Sequence, residues 1–297
     1  DNFPINYGCT AITGTLTIYY GNDITNLDGL SQLTSIGNLT FYENPLLSDY
    51  SGLNNVTTIT GSLSMTGNTA TSLTSVLPSL TSVGGNFDFS GIPASSLSGF
   101  TSLSNVGAAF TMNSNPNLTS VTGFGSLASV GTSFTIAGNT NLTALPTFDS
   151  LTSTGEFTIY SNPALTSLSG LNALASINGN LNVFSSAALT SIVALSSLTA
   201  INGQFNIYDN PVLTSLSGLE QVNPSTISYL NIYNNAALAV CDVTPVCTAI
   251  ANGVGANISG NVAGCASLTQ VLVVCGTAQN CTDISFSTQE QIDNFPI

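Results

Sequence analysis

The cysteines are the residues whose number and spacing most clearly predict chemistry in this chain. One lies near the start and five lie within a short stretch near the end, and together they are Cys9, Cys241, Cys247, Cys265, Cys275 and Cys281. An even number of cysteines crowded at the ends of a repetitive chain predicts disulfide-bonded caps. Such caps are typical of an oxidising, extracellular environment. Buried free thiols are the alternative interpretation.

The chain has no lysine, arginine or histidine, and its 14 acidic residues give a net charge of −14. Nucleic-acid binding and attachment to anionic membranes both need cationic side chains, so both are excluded. Catalytic triads and imidazole metal sites lack their histidine. A protease that cuts after lysine or arginine finds no cleavage site. The composition therefore predicts a protease-resistant protein, with lineage-specific drift towards acidic proteins as the alternative explanation.

Carboxylates are the remaining groups that could catalyse hydrolysis or bind a metal ion. They are scattered along the chain, as at Asp23, Asp28, Glu43, Asp49, Asp88, Asp149 and Asp209. A carboxylate pair of the kind that hydrolyses glycosides is permitted by residue type, but no basic residue supports any of these acids. A calcium site lacks its dense Asp/Gly motif. The sequence therefore predicts no catalytic residue, no metal site and no cofactor.

A short apolar pair, with its members two residues apart, recurs ten times along the chain. The pairs follow each other at intervals of 23 to 25 residues, and they are Leu16/Ile18, Leu39/Phe41, Leu63/Met65, Phe87/Phe89, Phe110/Met112, Phe134/Ile136, Phe157/Ile159, Leu181/Val183, Phe205/Ile207 and Leu230/Ile232. Alternation with a period of two predicts short strands whose paired side chains both face inward. One such turn cannot bury its own apolar face, but stacked turns form a continuous core.

An asparagine follows most of these pairs, five or six residues after the first apolar member. These residues are Asn22, Asn44, Asn68, Asn115, Asn139, Asn162, Asn210 and Asn235. A coil that turns inward must satisfy its backbone polar groups at each corner. We therefore expect the side chains to form a structural asparagine ladder, bonded to the backbone of their own and neighbouring rungs.

Aromatic residues recur at the strand position three residues after the first apolar member, which faces outward. They are Tyr19, Tyr42, Tyr160, Phe184, Tyr208 and Tyr233. Neighbouring rungs bring such rings to about 5 Å from each other, which is close enough to stack. One interpretation is a surface contact stripe for a glycan, a partner protein or the next filament subunit. The other is stacking between rungs that only covers the sheet.

The repeat unit, roughly N-P-x-L-T-S-L-S-G-L-x-x-L-x-S-I-x-G-N-L-x-I, resembles a leucine-rich repeat and more specifically the receptor L domain. The resemblance covers nearly the whole chain. It implies a mainly β fold, a right-handed parallel β-solenoid of about ten rungs with disulfide-stapled caps. Similar repeats are common in secreted proteins of bacterial surface communities, so we expect a secreted bacterial surface protein.

The resemblance also divides the chain. Residues 1–12 correspond to the second half of an N-terminal cap, 13–236 to ten rungs, 237–281 to a C-terminal disulfide cap and 282–297 to the start of the next copy's N-terminal cap. The cap would contain a loop, a last strand and a short buried helix over 267–274. Receptor L-domain caps imply the pairs Cys241–Cys265 and Cys247–Cys275, although four cysteines allow three pairings. Cys281 would pair with Cys9 of the following copy.

Residues 293–297 repeat residues 1–5, Asp-Asn-Phe-Pro-Ile, at an offset of 292. The simplest interpretation is one period of a tandem array. We therefore expect a non-catalytic structural repeat unit of an extracellular filament or giant cell-surface adhesin, whose partners are copies of itself in tandem or head to tail. The alternative is an extracellular recognition module that binds a glycan or protein ligand through the aromatic stripe. Neither function involves nucleic acid or membrane insertion.

Overall fold

The main sheet runs along the whole of the chain described by this computed structural model, which covers residues 8–67 and 72–276. Eleven of its strands in these ranges stack one per rung, and they are Ala11–Tyr19, Ser35–Tyr42, Leu63–Thr66, Phe87–Ser90, Ala109–Asn113, Ser129–Ala137, Ser153–Tyr160, Leu181–Phe184, Gln204–Tyr208, Tyr229–Tyr233 and Gly255–Ser259. Every pairing between them is parallel, as in Leu39 with Leu63 and Phe157 with Leu181. The chain is therefore a parallel β-solenoid, as predicted.

Shorter strands complete each turn of the solenoid. In the described ranges, five two-residue strands join the main sheet just before a bend, and they are Thr58–Ile59, Ser82–Val83, Asn105–Val106, Ser176–Ile177 and Ala200–Ile201. A second parallel sheet of three strands lies elsewhere on the turn and consists of Ser72–Val76, Ser96–Gly99 and Ser120–Thr122. Glycine lets neighbouring rungs approach where the pairing of the main strands is irregular, because a Cβ on Gly131 would lie only 2.0 Å from the Gly107 carbonyl oxygen.

The apolar pairs found in the sequence point into one continuous core. Successive members of the first inward column stack as near-parallel rings, with centroids 5.0 Å apart between Phe87 and Phe110 and 5.1 Å apart between Phe110 and Phe134. A second set of buried phenylalanines, including Phe124, meets this column edge-on at 5.2 Å from Phe110. Leu16 in the first rung is only half-buried, because the described chain places no earlier rung above it.

Helices are few and short. The 3-10 helices are Asp28–Leu30, Ser51–Leu53, Val193–Leu195 and Pro224–Thr226. The two α-helices, α1 (Thr244–Ala251) and α2 (Leu268–Val274), flank the last strand at the C-terminal end. Ser267 caps α2 by accepting a hydrogen bond from the Gln270 backbone N–H. The prediction that this helix is buried is wrong. Only Val271 is buried, because the helix packs on the end of the solenoid through one side and leaves Val273 56% exposed.

Candidate functional site

The outward face of the main sheet is the candidate site, and its C-terminal half carries a continuous stack of aromatic rings. Tyr160, Phe184, Tyr208 and Tyr233 lie at the same position of four consecutive strands. Their ring centroids are 4.9, 4.7 and 4.7 Å apart, and neighbouring planes differ by only 6° to 12°. We call these four residues the aromatic stack.

The spacing of these rings decides which part of them a ligand could reach. Near-parallel rings whose centroids are less than 5 Å apart cannot lie side by side in one plane, so their faces must overlap in the offset manner that aromatic pairs prefer. The inner rings, Phe184 and Tyr208, therefore use both faces on their neighbours. A partner at this part of the sheet meets ring edges and phenol hydroxyls.

A column of asparagines lies beside the aromatic stack, and the sequence analysis missed it. The Nδ2 of Asn206 donates to Asn182 Oδ1, and the Nδ2 of Asn231 donates to Asn206 Oδ1, both at 2.7 Å. Asn182 in turn donates to Glu156 Oε1 at 2.6 Å and to Thr158 Oγ1 at 3.0 Å. The sequence signal was the change from Thr or Ser to Asn at one outward position over three successive repeats.

The middle residue of this amide column is nearly covered although it lies on the outward face. Asn206 is only 7% exposed, because the amides of Asn182 and Asn231 and the side chain of Gln204 contact it. Amide groups that bond along the column satisfy each other, as buried polar groups must. The C-terminal half of the face therefore uses its side chains mainly to join one rung to the next.

The outward aromatics at the N-terminal end are arranged differently. Tyr19 and Tyr42 are paired in register, but Tyr20 contacts both of their rings edge to face, with centroids 5.8 Å from Tyr19 and 5.3 Å from Tyr42. All three rings are exposed, and Tyr19 and Tyr20 are about 60% exposed. The next outward residue at the stripe position is Thr66, so the predicted stripe consists of two separate aromatic groups. Tyr20 was not among the predicted residues.

Burial and charge act on the tyrosines of the two groups in different ways. In the aromatic stack, burial raises the pKa of Tyr208, and the charges of Tyr233 and Asp209 contribute. At the N-terminal end, a hydrogen bond to the Glu43 carboxylate and its charge raise the pKa of Tyr42 to about 12, and Tyr20 contributes. In the core, burial raises the pKa of Tyr50, whose hydroxyl has no hydrogen-bond partner in the described structure.

The inward corner of each turn carries an asparagine ladder at most of the positions that the sequence indicates. Its predicted members are fully buried at six corners, and they are Asn44, Asn115, Asn139, Asn162, Asn210 and Asn235. The prediction for Asn22 is wrong, because the ladder position lies five residues after the first apolar member and Gly21 occupies it, which leaves Asn22 exposed. Asn68 lies outside the described residues.

Each ladder asparagine closes the corner of the preceding rung. Asn139 Oδ1 accepts the backbone N–H of Asn115 at 3.1 Å, while its Nδ2 donates to the Met112 carbonyl oxygen at 2.9 Å. The residue before each ladder position has a positive φ, as at Asp209 with 56°, so the corner turns sharply. Two positions were missed: Asn261 extends the ladder beyond Asn235, and a buried Ser186 interrupts it.

Two disulfides close the C-terminal end. Cys241 is bonded to Cys265, and Cys247 is bonded to Cys275, which are the pairs that the resemblance implies. The first bond ties the loop before α1 to the turn after the last strand, and the second joins α1 to the residue that follows α2. Cys9 is exposed and is the one free cysteine of the described chain. Cys281 and residues 282–297 lie outside the described residues.

Over 8–67 and 72–276, no group of three or more Cys, His, Asp or Glu side chains could hold a metal ion. The same stretches contain no helix that is long and apolar enough to cross a membrane.

Comparison with known proteins agrees with the geometry. The family model for the receptor L domain matches residues 8–97, which is 90 of the 297 residues and covers the first rungs of the solenoid. No curated protein shows a significant match to the chain. Receptor L domains are extracellular ligand-binding domains, and two disulfides fit a secreted or surface protein. The chain is therefore a parallel β-solenoid whose first rungs are similar to the receptor L domain.

Proposed function

We propose that this chain is a structural repeat unit of an extracellular filament or large cell-surface adhesin, and that it is not catalytic. The observation that carries the proposal is the use of outward side chains as joints between rungs. The rings of the aromatic stack cover each other's faces, and Asn206 of the amide column is nearly covered. Such a face strengthens a rod along its axis and leaves few polar groups to recognise a ligand.

The proposed assembly is a series of copies in tandem or head to tail. It is supported by the repetition of residues 1–5 at 293–297. In tandem copies, Cys281 of one copy would bond to Cys9 of the next. Cys9 is exposed and unpaired in the described chain, so it is accessible to such a partner. Like charge on every copy makes covalent joining useful, since a net charge of −14 per unit repels free subunits.

The first test is the size of the native material after full reduction and denaturation. A covalent tandem protein keeps a mass far above the 30.3 kDa of one unit, whereas separate subunits give a band near that value. The bridge is then mapped by mass spectrometry on unreduced, alkylated material. Trypsin cannot be used for the digest, because the chain has no lysine or arginine, so pepsin is used instead. A Cys9 and a Cys281 that both carry the alkyl label would contradict the proposed bridge.

A second candidate function is recognition of a glycan or protein ligand, favoured by the receptor L domain match at residues 8–97. Replacing both Tyr208 and Tyr233 by Ser separates the two functions at the aromatic stack. Lost ligand binding with intact filaments would favour recognition. Lost filaments with unchanged binding would favour assembly. If neither property changed, the aromatic stack would serve only the stability of the sheet.

A further inference from the structure

The N-terminal tyrosines meet edge to face and do not form a stack. The ring of Tyr20 makes an angle of 72° with that of Tyr19 and of 89° with that of Tyr42. Glu43 follows Tyr42 directly, and its carboxylate raises the pKa of the Tyr42 hydroxyl. We call Tyr19, Tyr20, Tyr42 and Glu43 the tyrosine cluster. Because its rings meet edge to face, ring surface stays exposed, in contrast to the aromatic stack.

Two residues of this cluster, Tyr20 and Glu43, have a strained backbone conformation. Tyr20 and Glu43 both have a φ of 50°, in the left-handed region that L-residues with large side chains disfavour. The same turn position is glycine or a short polar residue in later rungs, as at Gly138, Ser161 and Asn234. Tyrosine and glutamate are therefore not needed to make the turn. They place an exposed ring and a carboxylate beside Tyr42.

Exposed aromatic faces and a carboxylate attract the same kind of ligand. The face of an aromatic ring is negative, so it attracts cations, and the Glu43 charge adds to that attraction. The chain has no lysine, arginine or histidine, so the cation must come from another molecule. A small metal ion needs several close ligands, and the described chain has no group of three or more Cys, His, Asp or Glu side chains that could hold one. Rings favour a large, weakly hydrated organic cation.

We propose that the tyrosine cluster binds an organic ammonium cation, with Tyr19, Tyr20 and Tyr42 contacting the cation through their rings and Glu43 balancing its charge. The ammonium group is either a quaternary head group or the primary ammonium of a lysine side chain. The site lies apart from the aromatic stack and does not depend on the proposed filament function. It gives a surface without cations a specific contact with a cationic molecule.

Ligand-observed NMR tests this site with choline as the probe. The N-methyl protons of choline should shift upfield on titration with the intact chain, because aromatic rings shield groups bound over their faces. The neutral isostere 3,3-dimethyl-1-butanol has the same shape without the charge and should bind several-fold more weakly. n-Butylammonium distinguishes the sources: tighter binding than choline assigns a lysine side chain, and weaker binding assigns a quaternary head group.

Matched variants locate the contact. Replacing Tyr20 and Tyr42 together by Leu keeps the net charge and should weaken choline binding roughly tenfold, from the loss of two cation–π contacts. Replacing Tyr208 and Tyr233 by Leu, in the aromatic stack, should leave it unchanged. Because all these proteins carry the same charge, general attraction of cations to the acidic chain cancels. Equal binding of choline and its isostere, or equal loss in both variants, would overturn the proposal. Circular dichroism checks that each variant folds.

Discussion

The two ends of the solenoid carry aromatic residues at the same outward position and use them in opposite ways. At the C-terminal end, the rings of Tyr208 and Tyr233 lie 4.7 Å apart and almost parallel. At the N-terminal end, Tyr20 stands nearly perpendicular to Tyr42 at 5.3 Å. The two ends differ in the turn residue, which is Tyr20 at one end and Asp209 at the other, and in how many neighbouring rungs carry a ring.

This difference shows that an outward ring becomes structural only when the next rungs repeat it. Four consecutive rungs supply rings to the aromatic stack, and an amide column supports it from the side. At the other end the stripe position changes from Tyr42 to Thr66 after two rungs, so the rings turn towards Tyr20 instead. The C-terminal end is therefore built for stability, and the N-terminal end keeps ring surface exposed.

The largest expected effect concerns the disulfides, which only the C-terminal end has in the described chain. Replacing Cys247 and Cys275 by Ser should lower the free energy of unfolding of that end by about 2–5 kcal/mol, the usual cost of removing a native disulfide. Hydrogen exchange should locate the loss in α1 and α2, because a solenoid couples mainly neighbouring rungs. The control is Cys9→Ser, which removes an exposed, unpaired thiol of the single unit and should change nothing.

Next in size is the loss of a ladder asparagine. Asn210→Ala removes a fully buried amide that bonds the Val183 and Tyr208 carbonyl oxygens and receives the Ser186 backbone N–H. Leaving such groups unpaired should lower the free energy of unfolding by about 1–3 kcal/mol in urea denaturation. The matched N-terminal variant is Asn22→Ala, where the side chain is exposed outside the ladder. Equal effects at both sites would show that the ladder adds no stability.

The strands, the core and most of the ladder could be predicted from the sequence because they follow from spacing alone. The inward apolar pairs recur in every turn, and the step of five residues to an asparagine such as Asn115 or Asn139 recurs in most turns, so both can be found without knowing the neighbouring rungs. Asn22 lies outside the ladder because it follows Leu16 by six residues instead of five, and one residue moves a side chain to another face of the corner.

The features that were missed depend on contacts across rungs. The amide column of Asn182, Asn206 and Asn231 appears only when three repeats are aligned at an outward position. Tyr20 sits at a turn position, and no period indicates that its ring would reach Tyr42. The exposure of α2 also depends on which side of the helix packs against the end of the solenoid, and the apolar sequence of the helix does not indicate that side.

An effect of similar size tests the aromatic groups themselves. Tyr208→Ser removes a ring that stacks on both sides, and aromatic pairs contribute about 0.5–1.5 kcal/mol each beyond the area they bury. We therefore expect the free energy of unfolding to fall by about 1–3 kcal/mol. Tyr19→Ser removes a ring that is 61% exposed and should cost less than about 0.5 kcal/mol. A loss at Tyr19 as large as that at Tyr208 would refute the contrast between the two ends.

A smaller change of opposite sign is expected at the strained turn. Tyr20→Gly should raise the free energy of unfolding by about 0.5–1 kcal/mol, because left-handed backbone costs a non-glycine residue about 1–2 kcal/mol and the gain is partly offset by the greater chain entropy of glycine. The C-terminal counterpart is Asp209→Gly, which should gain less because aspartate tolerates this conformation better. Thermal unfolding followed by circular dichroism measures both. A destabilised Tyr20→Gly protein would mean that the ring contacts outweigh the strain.

The smallest effect is an alkaline titration that separates charge from burial. Tyr42 has a pKa of about 12, above the usual value near 10, so between these values the folded state keeps a proton that the unfolded state has lost. This contribution to stability is complete below about pH 10 and is lost as the pH rises through about 12.

Carbon NMR of labelled tyrosine rings measures the pKa of each tyrosine separately. Glu43→Gln should bring the pKa of Tyr42 down towards its usual value, because the carboxylate is the main cause of the shift. The pKa of Tyr208 should stay raised in the same variant, since burial is its main cause. If both values fell together, one long-range field would govern both ends, and the N-terminal carboxylate would have no special relation to its tyrosines.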